Sequence, residues 1–280
     1  MKTLHKTALS AAAAALLAGM VCTPAFAADT PQDSEAAGNP IAANVTVVSD
    51  YRYRGISQSN FKPAIQGGFD YAHESGFYIG NWNSSISWIS DAASAGGSKN
   101  VSAPIEMDFY AGFKKELIGE GFASDLGVLQ YYYPTSGLPS SATNPNTTEI
   151  YAAQNYTFGP LTGFVKFSYA VTNTFGFSNS SGSYYPDLTA NYDTGVWGLS
   201  VNAHVGYQKI AGQNVIAGVP TASYTDWKLG LTKDFGGGLS LAAAYIGTNA
   251  AKSGSTYAYS SPSGKNLGGS TGIVSLTKTF

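Results

Sequence analysis

The sequence predicts an all-β fold, a single transmembrane antiparallel up-and-down β-barrel of about twelve strands with short periplasmic turns and longer extracellular loops. Three observations predict it. Twelve stretches alternate apolar and polar residues with period two. The connections between them are short and long in strict alternation. Only 11% of the residues are charged, against roughly 25% in a typical globular domain.

The chain begins with Lys2 and Lys6, the apolar run "ALSAAAAALLAGMV" and "AFA" at 25–27, the layout of a secretory signal peptide over residues 1–27. Cys22, the one cysteine, lies within it, so the mature chain is expected to need neither disulfides nor thiolate metal sites. Without Lys2 and Lys6, 13 of the 15 basic residues face 17 acidic ones, a net charge of −4. That balance gives no basic stripe for nucleic acid. Residues 28–41 are polar and acidic and read as a flexible periplasmic lead-in. Residues 42–280 form the barrel, and no apolar run beyond the signal reaches the length of a membrane helix.

The predicted strands lie near 43–54, 63–73, 77–87, 104–115, 122–133, 148–157, 163–173, 184–193, 197–208, 224–233, 238–247 and 271–280. "HESG", "LIGEG", "FGPLTG", "DTGV" and "DFGGG" are tight turns rich in Gly, Asp and Pro. The longer connections are 55–62, 88–103, 134–147, 174–183, 209–223 and 248–270. An even strand count with this alternation puts both termini in the periplasm and six longer loops outside. Ile105, Met107, Phe109, Ala111 and Phe113 make one face of the fourth stretch, with Glu106, Asp108, Tyr110, Gly112 and Lys114 opposite. The fifth stretch, "FASDLGVLQYYYP", fits either orientation.

The first stretch continues into "SDYRYRGISQS", where Asp50, Arg52 and Arg54 alternate with Tyr51 and Tyr53. An arginine on the lipid side costs on the order of 2–4 kcal/mol at mid-membrane, so the charges are expected in a hydrated lumen. The expected pore-lining set is Asp50, Arg52, Arg54, Asp70, Glu106, Asp108, Lys166, His204, Asp226 and Lys228. The expected aromatic girdle comprises Tyr51, Tyr53 and Tyr245 at the outer strand ends and Tyr71, Phe77 and Phe164 near the tight turns. Phe280 ends the amphipathic strand "GIVSLTKTF" and is the expected insertion signal for the barrel-assembly machinery, although Lys278 takes a slot where an apolar residue is usual.

"VSDYRYRGISQS", "GFYIGNWNSS", "EMDFYAGFKKE", "DLGVLQYYYP" and "TEIYAAQNY" resemble the successive signatures of the Gcw-type (TorF) family of proteobacterial porins. They span residues 47 to about 156, and the remaining hairpins through Phe280 follow the same layout more loosely. The resemblance implies an outer-membrane barrel and passive transport, without naming a solute.

The expected function is a passive diffusion channel for small hydrophilic solutes or ions, in contact with outer-membrane lipid and lipopolysaccharide. Two alternatives stay open. One is a plugged structural or adhesive barrel whose Ser-, Asn- and Gly-rich loops meet partners. The other is a barrel hydrolase built on His204, which shares a face with Ser200 and Asn202. Residues two apart on a strand are about 7 Å apart, whereas a nucleophile and its base need about 3 Å. His73 sits in a tight turn, and Glu106 and Asp108 pair on spacing alone. With two histidines and no cysteine after the signal, neither a metal site nor a cofactor is expected. The solute, the openness of the lumen and the oligomeric state are open.

Overall fold

The structure, a computed structural model, describes residues 40–98, 100–212 and 218–280. The predicted signal peptide and residues 28–39 of the lead-in lie outside the described residues. Twelve strands run in chain order: β1 (Ile41–Val48), β2 (Ala64–Ala72), β3 (Phe77–Ser85), β4 (Ile105–Gly119), β5 (Phe122–Tyr132) and β6 (Thr147–Phe158). The second half is β7 (Leu161–Ala170), β8 (Tyr184–Asp193), β9 (Leu199–Gln208), β10 (Tyr224–Asp234), β11 (Leu239–Thr248) and β12 (Thr271–Thr279). Each pairs antiparallel with its chain neighbours, and β1 pairs with β12 to close the barrel. The seam runs from Asn44 opposite Thr279 to Val48 opposite Ser275. Inside it the Thr46 and Thr277 hydroxyls hydrogen-bond at 2.8 Å, and the Phe280 amide donates to the Ala43 carbonyl at 2.8 Å. Closure pairs the backbone groups that an open edge would expose to lipid.

The pleat sends alternate side chains to opposite faces, and the two faces differ in kind. Outward positions are apolar and exposed: Val45 and Val47 on β1, Phe69 on β2, Phe109 on β4, Val165 and Phe167 on β7, Leu229 and Leu231 on β10, Val274 and Leu276 on β12. A continuous apolar belt of this kind on a closed barrel is the surface that hydrocarbon covers. Inward positions are buried and polar: Gln66, Asp70, Ser84, Asp108, Glu149, Lys166, Asn191, Asn202, Thr232 and Ser275. The strand of open orientation takes a definite one, with Asp125, Leu129 and Tyr131 buried inside and Leu126, Val128 and Tyr132 exposed outside.

Three differences from the sequence expectation stand out. The first strand stops at Val48, not at 54, and residues 50–59 are buried without interruption. The loop after β3 holds a helix, α1 (Trp88–Ala95), where no helical period was read. Two turns of an Ala-rich segment satisfy helix propensity but are too short to show periodicity. Finally, β4 extends to Gly119, through part of the expected turn, and its pairing with β5 slips between Glu116 and Gly119.

Candidate functional site

Residues 49–59 do not leave the barrel; they turn inward at the long-loop end. Arg52 pairs with Ser57 and Tyr53 with Ile56 in a two-residue hairpin. Arg54 and Gly55 occupy its tip with φ of 44° and 79°. Positive φ at both central positions is the type I′ geometry that matches strand twist. A side chain at Gly55 would run into Thr248 and Asp226, so the tip of the hairpin packs against β11 and β10, while Arg54 reaches β6 and β9 across the lumen.

Two arginines tie it there. The Arg54 guanidinium donates to both carboxylate oxygens of Glu149 on β6, at 3.1 and 2.8 Å, and to Gln208 Oε1 on β9 at 2.6 Å. It also stacks over the Tyr185 ring at 4.0 Å and the Tyr53 ring at 4.8 Å. A bidentate guanidinium–carboxylate pair fixes orientation as well as distance. These contacts hold a non-glycine residue at positive φ, a conformation that costs on the order of 1–3 kcal/mol. Arg52 donates to Asp50 Oδ2 at 2.6 Å and to the Leu267 and Gly269 carbonyls at 2.8 and 3.1 Å, which joins the hairpin to the last long loop. Ser57 and Ser59 complete the shell of Asp50, their hydroxyls 2.6 and 3.2 Å from Oδ1.

Phenols fill the rest of the interior. Tyr51 donates to Glu106 at 2.7 Å and Tyr53 to Tyr131 at 2.8 Å. Tyr110 donates to Asp70 at 2.6 Å and Tyr78 to Asp125 at 2.7 Å, with Tyr78 also hydrogen-bonded to Tyr151. Each ring supplies apolar bulk, and the Tyr51, Tyr78 and Tyr110 hydroxyls each satisfy a buried carboxylate. Room for a ring lying on the wall comes from glycine: any side chain at Gly206 would overlap the Tyr185 ring and hydroxyl. Gly206→Val is therefore expected to destabilise the barrel by roughly 1–3 kcal/mol through overpacking, read as a lower urea midpoint in detergent or lipid.

Below the hairpin, His204 sits between two carboxylates. Its Nδ1 lies 2.9 Å from Asp187 Oδ1 and its Nε2 2.7 Å from Asp226 Oδ1. The Tyr185 hydroxyl is 3.0 Å from Nε2 and Thr189 Oγ1 is 3.2 Å from Nδ1. Carboxylates, a phenol and a threonine surround the ring, and the serine of a hydrolase is not among them. Asn202 instead bonds Asn191 and Thr232, at 2.8 and 2.7 Å.

Of the expected pore-lining residues, Asp50, Arg52 and Arg54 lie in the hairpin rather than on a strand. Asp70, Glu106, Asp108, Lys166 and Asp226 are buried on the inner wall, with His204 and Lys228 half-buried beside them. The girdle needs correction. Tyr51 and Tyr53 are buried at 1% and 7% exposure, because the hairpin turns both its faces away from lipid. Phe164 shares the inward parity of Lys166 and Ser168 and pairs with inward-facing Asn155 and Thr189, so it faces the lumen. Tyr71, Phe77 and Tyr245 point outward, as do Phe158, Tyr192 and Phe235. Sequence reasoning missed the grouping of Arg54 with Glu149, Gln208 and Tyr185, since strand parity places each residue on a face but says nothing of a hairpin that meets them all.

Among the described residues eight carboxylates are buried in the interior (Asp50, Asp70, Glu106, Asp108, Asp125, Glu149, Asp187 and Asp226), with Arg52, Arg54 and Lys166 as the buried cations. The site is an acidic lumen spanned by a basic hairpin.

The KdgM porin has this barrel at a TM-score of 0.50 and 8% identity, the alignment covering 85% of this chain and 99% of that one. The COG4313 outer membrane channel from Pseudomonas putida F1 aligns at a TM-score of 0.50 and 14% identity, over 90% of this chain and 99% of that one. Identities this low carry the fold alone. No curated protein matches the sequence. A family model described as a bacterial protein of unknown function, Gcw_chp, matches residues 32–280. That match takes in every strand of the barrel and the hairpin inside it, and the chain belongs to the Gcw_chp family.

Proposed function

We propose that the protein is an outer-membrane channel for small hydrophilic solutes, cation-preferring, with the 49–59 hairpin as its constriction. The observation that carries this is the acidic lumen. Polar and ionised side chains line the inner face of a barrel whose outer face is made for lipid, an arrangement that lets water and ions share the interior. Twelve strands lie between the eight that side chains fill and the sixteen that leave a wide aqueous channel, so a single inward hairpin sets the aperture. The carboxylate excess gives the interior a negative potential that raises the local concentration of cations. The long-loop end is taken as the cell exterior, and lipopolysaccharide and solutes meet the protein there. Phe280, exposed beside the seam, is the residue that the insertion machinery would read.

In planar bilayers with a salt gradient the purified barrel is expected to give discrete conductance with a reversal potential favouring cations. Glu106→Gln and Asp108→Asn together should move that potential toward zero. Anion preference in the parent, or an unchanged potential in the variant, would remove the electrostatic basis.

The hairpin also favours a second reading, a barrel plugged by its own chain with a structural or adhesive role for its loops. Fully inserted protein that stays silent in bilayers at all voltages would favour the plug over the channel.

A further inference from the structure

Above the hairpin, at the long-loop end, a cavity of about 460 Å³ opens between the loops. Its floor is the hairpin, through Tyr53, and its walls come from α1, the end of β5 and three further loops. The lining is dominated by rings: Trp88 meets Tyr133 edge-on at 5.4 Å, and Tyr259 meets Phe177 at 6.3 Å. The Tyr259 hydroxyl donates to the Ala222 carbonyl at 2.7 Å, and burial holds its phenol above the ordinary value, so that wall stays neutral. Among the described lining residues no lysine, arginine or histidine is present, and Asp91 is the one carboxylate. The Ser87 hydroxyl donates to Asp91 at 2.7 Å and orients it on α1.

We propose that this vestibule binds organic ammonium cations bearing an aromatic or bulky apolar group. The volume suits a small molecule, and a mostly apolar lining with few polar groups is what such sites have. Ring faces attract cations within about 6 Å of their centroids, and the more so where water is excluded. The interior already handles its own cations this way: Arg54 lies over Tyr53 and Tyr185, and Lys166 over Tyr151 at 4.4 Å. Tyr53 thus belongs both to the cavity floor and to the arginine stack below. An ammonium group finds ring faces and Asp91 in the vestibule, then the carboxylate-rich lumen beneath. An anion meets Asp91 and no cationic side chain among the described lining residues, and a neutral solute loses the electrostatic part. The site stands on its own geometry, whereas passage onward from it rests on the channel reading.

The test is calorimetric titration of the full barrel in lipid nanodiscs with benzyltrimethylammonium, benzyl alcohol and benzoate. The cation is expected to saturate one site at least tenfold more tightly than the alcohol, with benzoate not binding. Asp91→Asn should weaken the cation several-fold and leave the alcohol unchanged, while Ala95→Trp, which fills the cavity from α1, should abolish both. Equal affinity for cation and alcohol, absence of cation binding, or cation binding indifferent to Asp91→Asn would overturn the inference. Should Ala95→Trp fail to fold, the solvent-side change at Asp91 still decides it. Cation binding by a barrel silent in bilayers would defeat the channel reading alone, and a conducting barrel that binds no cation would defeat this inference alone.

Discussion

Arg54→Asn is expected to raise single-channel conductance several-fold. The substitution isolates the latch from the turn. Asn-Gly is a preferred type I′ pair, so the tip keeps its backbone geometry, and the positive φ of 44° at this position becomes easier to adopt. What disappears is the guanidinium that bonds Glu149 and Gln208 and stacks on Tyr185. Breaking one side of a buried ion pair costs on the order of 3–5 kcal/mol because the other charge is left behind. Glu149 is 1% exposed, so the cost falls on the state in which the hairpin spans the lumen. A hairpin released toward the mouth lets water reach Glu149 and widens the path. Glu149→Gln, which removes the opposite partner, should act in the same direction. Equal conductance in parent and both variants would show that the arginine does not hold the constriction.

That latch was hidden in the sequence for a physical reason. The strands were legible because burial on one side imposes period two, and the boundaries of most follow from the turn chemistry of Gly, Asp and Pro. The segment 50–54 also has period two, with Asp50, Arg52 and Arg54 alternating with Tyr51 and Tyr53, and on a wall strand that pattern means charges inward and rings to the lipid. Inside the lumen a hairpin has no lipid face, so both sets are buried and parity loses its meaning. The only local sign of the turn is Gly55, since arginine is not a usual partner at positive φ. Phe164 failed differently: its distance from the tight turn suggested a belt residue, but its register with Asn155 and Thr189 sends it inward. Asp125 was missed because Gly127, Tyr131, Tyr132 and Tyr133 blur the alternation of β5. Its parity became readable only from the pairing of β5 with β4 and β6.

The legible part of the fold carries the other large effect. Leu229→Arg is expected to abolish folding into lipid vesicles, or to lower its yield severely. Leu229 is central in β10 and 60% exposed on the outer face. A charge there meets hydrocarbon and costs roughly 2–4 kcal/mol at the midplane, a substantial share of the stability of a typical domain of ~5–15 kcal/mol. The adjacent position already holds a cation, Lys228, half-buried on the inner face, and Lys228→Arg should fold as the parent does. The two substitutions place a guanidinium one residue apart on the same strand; Leu229→Arg adds a positive charge on the outer face, whereas Lys228→Arg keeps one on the inner face, so the comparison asks which side of the wall accepts it. Folding is read from the shift in gel mobility between heated and unheated samples, or from a urea titration in vesicles. Equal yields for the two variants would mean that Leu229 does not face lipid, and the barrel would have to be turned inside out or taken out of the membrane.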